Sequence, residues 1–326
     1  MRATDTVLGI IRNRGSRGLP LENLYRQLYN PNLYLTAYGR IYRNAGATTP
    51  GTIAETVDGM SLAKIDTIIE ALRFERYRWT PVKRTYIPKK NGKLRPLGLP
   101  TWSDKLLQEV LRLLLEAYYD VQFSDCSHGF RPGRGCHTAL TEIYHGWVGT
   151  KWLIEGDIRG CFDNLDHAVL VSILAENIHG HRFLALIRSL LAAGYLEDWR
   201  FHETLSGSPQ GGIVSPILSN IYLDKLDRFV EEVLCPTYQQ GERRRLNPAY
   251  VRLRSQRQRL KKQEHYEEAR ALFRQMQQLP SLDPTDPDYR RLRYVRYADD
   301  VRRFTRQQIP RAAGRSSEDL TSGSPN

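Results

Sequence analysis

The chain has 326 residues, with 48 Lys and Arg against 36 Asp and Glu and a formal net charge of +12. So much positive charge attracts a polyanion through counterion release, which makes nucleic acid the first partner to consider. The N-terminal MRATDTVLGIIRNRGSRG interrupts the apolar run of a secretory signal with Arg and Gly, no stretch approaches eighteen apolar residues, and the four cysteines (Cys126, Cys136, Cys161, Cys235) never form CxxC. A secreted disulfide scaffold, a zinc ribbon and a membrane span are thereby disfavoured, and a soluble cytoplasmic protein with buried thiols is expected.

Residues 1–80 read as an N-terminal helical region made of short helices punctuated by Gly and Pro. In SLAKIDTIIEALRF, Leu62, Ile65, Ile68, Ile69 and Leu72 recur at helical spacing behind Ser61, a natural cap. Residues 81–150 open with RTYIP and KLRPLGLP around Asn91-Gly92, a strong hairpin signal that would carry Lys89, Lys90, Lys93 and Arg95. From Ser103 a capped helix is expected, with Leu106, Leu107, Val110, Leu111 and Leu114 on its apolar face. A basic Gly-rich loop, SDCSHGFRPGRGC, precedes a further helix around His137–Trp147.

Residues 151–234 begin with KWLIEGDIRGCFDNLDHAVLVSILAENI, which reads as strand, turn and helix. The apolar run Trp152–Ile158 predicts a buried strand ending at Asp157, with Asp163 or Asn164 capping a helix that buries Leu165, Val169, Ile173 and Leu174. SGSPQGG is a glycine loop, after which Ser215 and Pro216 start a helix with Ile217, Leu218, Ile221 and Tyr222 facing inward. Residues 235–292 are dominated by Arg and Gln and read as a surface insertion with a charged helix, suited to RNA. RYVRYADD, ending at Asp300, is a strand closed by two acids, and residues 301–326 lose all periodicity and are expected to be disordered.

Asp157 and Asp299 thus end two strands far apart in the chain, with Asp300 adjacent. Buried carboxylates brought together repel, and a hard cation such as Mg²⁺ resolves the conflict while serving in-line phosphoryl displacement.

The order and wording of these segments resemble the reverse transcriptases of group II introns. YIPKKNGKLRPLGLPTWSDKLLQEVLRLLLEAYYD looks like that family's opening finger motifs, and SHGFRPGRGCHTAL is near its usual wording. LIEGDIRGCFDNLDH is similar to the first palm motif, SGSPQGGIVSPILSNIYLDKLD to the PQG motif, and RYVRYADD to the second catalytic strand. The resemblance implies an α+β fold of right-hand polymerase type: a helical N-terminal region, fingers over 81–150, and a palm over 151–234 and 293–300. In that fold the palm is an antiparallel sheet backed by helices. It implies RNA-directed DNA synthesis with two Mg²⁺ ions held by Asp157, Asp299, Asp300 and the Ile158 carbonyl. It further implies that Phe162 gates against ribonucleotides, that Lys93 and Arg95 meet the incoming deoxynucleoside triphosphate, and that Gln210, Gly211 and Gly212 line its site. Intron RNA template and a DNA primer or target would be the partners, with the loop 124–136 and LYNPNLYLTAYGR lying along RNA.

The family continues past YADD with an apolar return strand, a thumb and a maturase domain, whereas here Arg302 and Arg303 fall where that strand is expected. The tail therefore reads as a frameshifted or degenerate end, the thumb as absent, and the polypeptide alone as weak or inactive. Two alternatives stand beside this reading: a non-enzymatic, maturase-like splicing factor that binds intron RNA, and a relative serving phage defence or CRISPR adaptation.

Overall fold

Side-chain caps start several of the described helices. A computed structural model describes residues 2–304 apart from 45, 89–91, 93, 148, 151, 159, 163, 199, 205 and 208–210, and of residues 300–304 it describes the backbone. The N-terminal region forms α1 (Thr4–Ser16), α2 (Leu24–Gln27), α3 (Pro31–Ile41) and α4 (Leu62–Arg73). Asn30 caps α3 ahead of Pro31, and Ser61 caps α4 by accepting from Lys64 N at 3.2 Å, as its position predicts. β1 (Val82–Pro88) and β2 (Leu94–Leu99) pair antiparallel across the expected turn, while Lys89, Lys90, Asn91 and Lys93 lie outside the described residues.

α5 (Trp102–Tyr119) has its cap two residues before the expected Ser103. Thr101 takes that role through Asp104 N, because Ser103 is drawn instead to Glu55, donating from N at 3.0 Å and Oγ at 3.1 Å. β3 (Ser127–His128), α6 (Cys136–Gly146), β4 (Ile154–Asp157), α7 (His167–Ala175), α8 (His181–Leu191), β5 (Tyr195–Glu197), β6 (Arg200–His202) and α9 (Ser215–Phe229) come next. The α7 cap is Asp166, accepting from Val169 N at 2.9 Å, rather than Asp163 or Asn164, and this later start turns Val169 outward. The chain then forms α10 (Cys235–Tyr238), α11 (Pro248–Lys262), α12 (Tyr266–Gln277), β7 (Arg293–Tyr297) and β8 (Asp300–Phe304).

Two compact units emerge, Met1–Ile143 with Gly156–Phe229 and Val295–Val301, and Tyr144–Glu155 with Val230–Tyr294 and Arg302–Asn326. In the first, α5 is the central pillar, with Leu106, Leu107, Leu111 and Leu114 fully buried and α1, α3 and α9 packed around it. α1 approaches so closely that a Cβ on Gly15 would fall 2.2 Å from Tyr118 O. Three buried polar side chains on α5 are engaged: Asp104 accepts from Tyr77 OH (2.7 Å), Lys105 donates to Gly46 O (2.9 Å), and Gln108 accepts from Ile213 N (2.8 Å). Desolvation is why the Asp104 carboxyl titrates above its ordinary value.

One four-stranded sheet runs β2-β1-β5-β6 and the other β3-β7-β8-β4. The first is mixed, with β1 antiparallel to β2 and parallel to β5, and in the second, which contains the strands expected to form an antiparallel sheet, β3 pairs with β7 in parallel. β4 sits at the end of its sheet and is exposed along its length, so the expectation of a buried strand fails; an apolar run of this size has no period to report which face is covered. Nor does the pattern collapse at Val301. Residues 300–304 form β8 between β7 and β4, since strand pairing uses backbone groups and tolerates the two arginines. Residues 305–326, expected to be disordered, lie outside the described residues.

Residues 235–292 form three helices, the short α10 and the longer α11 and α12, where one charged helix was expected. Leu253 and Leu260 of α11 and Ala269 and Met276 of α12 turn inward, and Arg257 lies over the Phe273 ring at 4.4 Å. After α12, Asp283 accepts from Thr285 N and Oγ1, both at 2.8 Å, and from Arg245 Nε at 2.7 Å. Cys126, Cys136, Cys161 and Cys235 are free thiols, but of the four only Cys161 is buried as expected; Cys126 and Cys235 are half-buried and Cys136 is exposed. Among the described residues no helix is long and apolar enough to cross a membrane.

Leu111→Ala is expected to cost about 2–5 kcal/mol in urea unfolding, and Leu62→Ala, on the exposed side of α4, no more than about 0.5 kcal/mol. Equal losses would show that α5 is not the pillar. Hydrogen bonds from Thr285, then Arg245, hold the Asp283 carboxyl down at about 2. A lowered folded value contributes stability that is complete above the unfolded value and lost as pH falls through the folded one. The Thr285 amide resonance should accordingly titrate with a midpoint near 2, and a midpoint at the ordinary carboxylate value would mean the contacts do not persist.

Candidate active site

Asp157 ends β4, and one residue later the chain is tied to the β7–β8 turn: Ile158 N donates to Asp299 O at 3.3 Å. The two acids, 142 positions apart in sequence (299 minus 157), are thereby brought to adjoining backbone positions in the sheet β3-β7-β8-β4. The buried Cys161 thiol reports the same neighbourhood. Burial first, then the negative charges of Asp299 and Asp157, push its pKa up, while its contact with Ser219 Oγ at 3.7 Å pulls the other way. Asp157 is exposed and Asp299 half-buried, so a ligand from solvent can reach both. Asp300 opens β8, and its side chain lies outside the described residues.

The Ile158 carbonyl accepts from Cys161 N at 3.1 Å in the turn after β4. A carbonyl has two lone pairs, so one acceptor direction is left over. Two carboxylates and a carbonyl are hard oxygen donors of the kind Mg²⁺ takes, with water and phosphate oxygens completing its shell. Among the described residues no group of three or more His, Cys, Asp and Glu forms a ready metal cage, and the candidate set is two acids and a backbone oxygen.

Phe162 comes next in the same turn, half-buried, its ring edge-to-face with Phe130 at 6.2 Å and 80°. Phe130 belongs to the Gly-rich basic loop and holds a left-handed φ of 55°, so that loop and the turn after Asp157 meet through two aromatic rings. A second cluster joins Gly211 to β2, the strand that carries Arg95. Gly211 has φ 103°, and a Cβ there would fall 2.5 Å from Gly98 O and 2.9 Å from Leu97 Cδ1, which restricts the position to glycine. Lys93 and Gln210 lie outside the described residues.

Sequence reasoning missed what stands behind the acids. Arg296, Asp227 and Asn220 are buried together in the first unit, on β7 and α9. Two signals pointed to them: an arginine inside the apolar strand YVRYA, and Asn220, Asp224 and Asp227 at helical spacing on the otherwise apolar face of α9. Asp224 bonds Arg228 at 2.7 Å, and burial raises its pKa despite that partner.

A family model described as reverse transcriptase (RNA-dependent DNA polymerase) matches residues 87–241. Group II intron-encoded protein LtrA of Lactococcus lactis subsp. cremoris is 46% identical over 310 residues, covering 92% of this chain and 52% of its own length. A 91 kDa protein in the cob intron of Schizosaccharomyces pombe is 47% identical over 212 residues, 65% of this chain and 26% of its own. YkfC of Escherichia coli is 34% identical over 227 residues, 66% and 58% respectively. This chain therefore spans about half the length of the Lactococcus relative and about a quarter of the Schizosaccharomyces one.

Gly211→Ala should destabilise the fold by about 1–3 kcal/mol through its φ and the approach of Gly98 O. Urea unfolding measures the loss, and a neutral result would show that the loop does not lie against β2.

Proposed function

Because the chain belongs to the group II intron-encoded reverse transcriptase and maturase family, a family of RNA-directed DNA polymerases, we propose that it extends a DNA primer on intron RNA in the course of intron mobility. What supports the site assignment is the hydrogen bond from Ile158 N to Asp299 O, with both acids acting on the Cys161 thiol. In this reading the sheet β3-β7-β8-β4 is the palm, and the hairpin β1–β2 belongs to the fingers.

Asp157, Asp299, Asp300 and the Ile158 carbonyl would hold two Mg²⁺ ions, which when bound supply charge neutralisation at the attacking and leaving oxygens of nucleotidyl transfer. The chain's own groups do the rest. Asp157, at the end of β4, and Asp299, in the turn between β7 and β8, fix the donor oxygens so that little reorganisation is needed when the triphosphate arrives. Arg95, with a planar fork that matches phosphate, and Lys93, a mobile point charge, receive the triphosphate. Gly211, with Gln210 beside it, lets backbone approach the nascent base pair. Phe162, braced edge-on by Phe130, fills the space that a 2′-hydroxyl needs and so selects deoxynucleotides. The arginines of α11 and the Gly-rich loop of residues 124–136 contact template and intron RNA through phosphates and stacking, which also serves splicing.

Purified chain, a DNA primer annealed to an RNA template, deoxynucleotides and Mg²⁺ test the proposal. Extension should depend on Mg²⁺ and fall by more than the about 10–100-fold that loss of a supporting contact costs when Asp157→Asn is introduced. Equal extension by Asp157→Asn and wild type would overturn the site, whereas RNA binding that survives without any extension would leave the non-enzymatic splicing role.

A further inference from the structure

Why should the strand that delivers Asp299 carry a fully buried arginine? Arg296 has no exposed surface, and its guanidinium distributes its donors over four partners. Nε reaches Asp227 Oδ1 at 2.9 Å, and Nη2 reaches Asp227 Oδ2 at 2.6 Å, a bidentate pair with a carboxylate that is itself fully buried. Nη2 also donates to Ser127 Oγ at 2.7 Å, while Nη1 donates to Asn220 Oδ1 at 3.1 Å and to Ala298 O at 2.7 Å. Asn220 in turn donates to Gly129 O at 3.1 Å. A buried pair of this kind contributes little to stability compared with apolar packing, so its use must be sought elsewhere.

Ala298 supplies that use. It immediately precedes Asp299 and sits at φ 54°, a left-handed conformation that a Cβ disfavours. Two hydrogen bonds hold it there, Arg296 Nη1 on its carbonyl and its own N–H on His128 O at 2.8 Å. The His128 ring is fixed in turn by Thr138 Oγ1 at 2.9 Å and Glu142 Oε2 at 3.0 Å. Gly129 presses from the same side, where an added Cβ would stand 2.9 Å from Ala298 N. On the far side of the turn Ile158 N grips Asp299 O, so the conformation of Ala298 decides where Asp299 stands relative to Asp157.

The geometry points to Arg296 as a positioning residue: anchored by Asp227 and aimed by Asn220, it clamps Ala298 in the left-handed turn that presents Asp299 to Asp157. This rests on the reading of the two acids as the metal-holding pair, and it predicts that the clamp becomes dispensable once residue 298 adopts that turn without help. Glycine does so.

Three full-length variants test it: Arg296→Lys, which keeps the charge beside Asp227 but loses the fork that reaches Ala298 O, Ala298→Gly, and the two combined. Amide hydrogen exchange over residues 293–304, measured without metal, should rise about tenfold in Arg296→Lys and return toward wild type in the double variant. The Mg²⁺ concentration that half-saturates single-turnover extension should rise about tenfold in Arg296→Lys and recover in the double variant, with primer–template affinity unchanged throughout. Asn220→Ala, which removes the acceptor aiming Nη1 while keeping the Arg296–Asp227 pair, carries the same test if Arg296→Lys does not fold. Exchange unchanged in the single variant, or raised and not rescued by Ala298→Gly, would reduce Arg296 to a packing role and overturn the proposal. Exchange that rises and recovers while the Mg²⁺ dependence stays at wild type would overturn the link to Asp299. Should wild type show no Mg²⁺-dependent extension at all, the polymerase reading fails, and exchange still decides the clamp.

Discussion

One backbone hydrogen bond, Ile158 N to Asp299 O, closes a loop of 141 positions (299 minus 158) and joins the two halves of the site. Closing so long a loop is entropically costly, though the cost grows only logarithmically with length. A single hydrogen bond contributes about 0.5–1.5 kcal/mol net and cannot hold the closure alone. It persists because β8 pairs between β7 and β4, and because β7 is itself laid in parallel register along β3. The acids are therefore only as well placed as that sheet, which makes the site a property of tertiary pairing rather than of either motif.

Charge is handled in two contrasting ways around this sheet. At the front, Asp157 is exposed and Asp299 half-buried, both within reach of solvent. Behind it, Arg296 and Asp227 are wholly removed from water and satisfy each other in a bidentate pair. Replacing the rear pair with apolar residues of similar volume need not weaken the fold. What apolar residues could not supply is direction, a donor reaching the carbonyl of a left-handed residue from inside the protein.

Rigid and adaptable parts are separated along the same lines. α5 anchors the first unit, and through Gln108 it holds Ile213, two residues beyond Gly211, so the glycine loop is tethered to the most deeply buried helix. The proposed nucleotide contacts sit on loops and hairpin ends, carried by a scaffold whose energy comes from burial elsewhere. α11 and α12 pack mainly on one another in the second unit, leaving Arg252, Arg254 and Arg259 of α11 exposed while Arg257 stacks on Phe273.

The sequence by itself determined what depends on neighbours in the chain. Ser61 as a cap, the pairing of β1 with β2, the apolar stripe of α5 and the inward faces of α9 all come from local spacing, and the motif order carried the family. Tertiary structure decided everything that depends on a distant partner. It moved two helix caps, to Thr101 because Glu55 claims Ser103, and to Asp166. It left β4 exposed because an apolar run cannot say whether its sheet continues, and it extended a strand through Arg302 and Arg303 because backbone pairing ignores side-chain polarity. Above all it gave Arg296 a meaning. In the sequence it is one of many basic residues, and only burial against Asp227, with a carbonyl two residues on within reach, turns it from surface charge into an internal clamp.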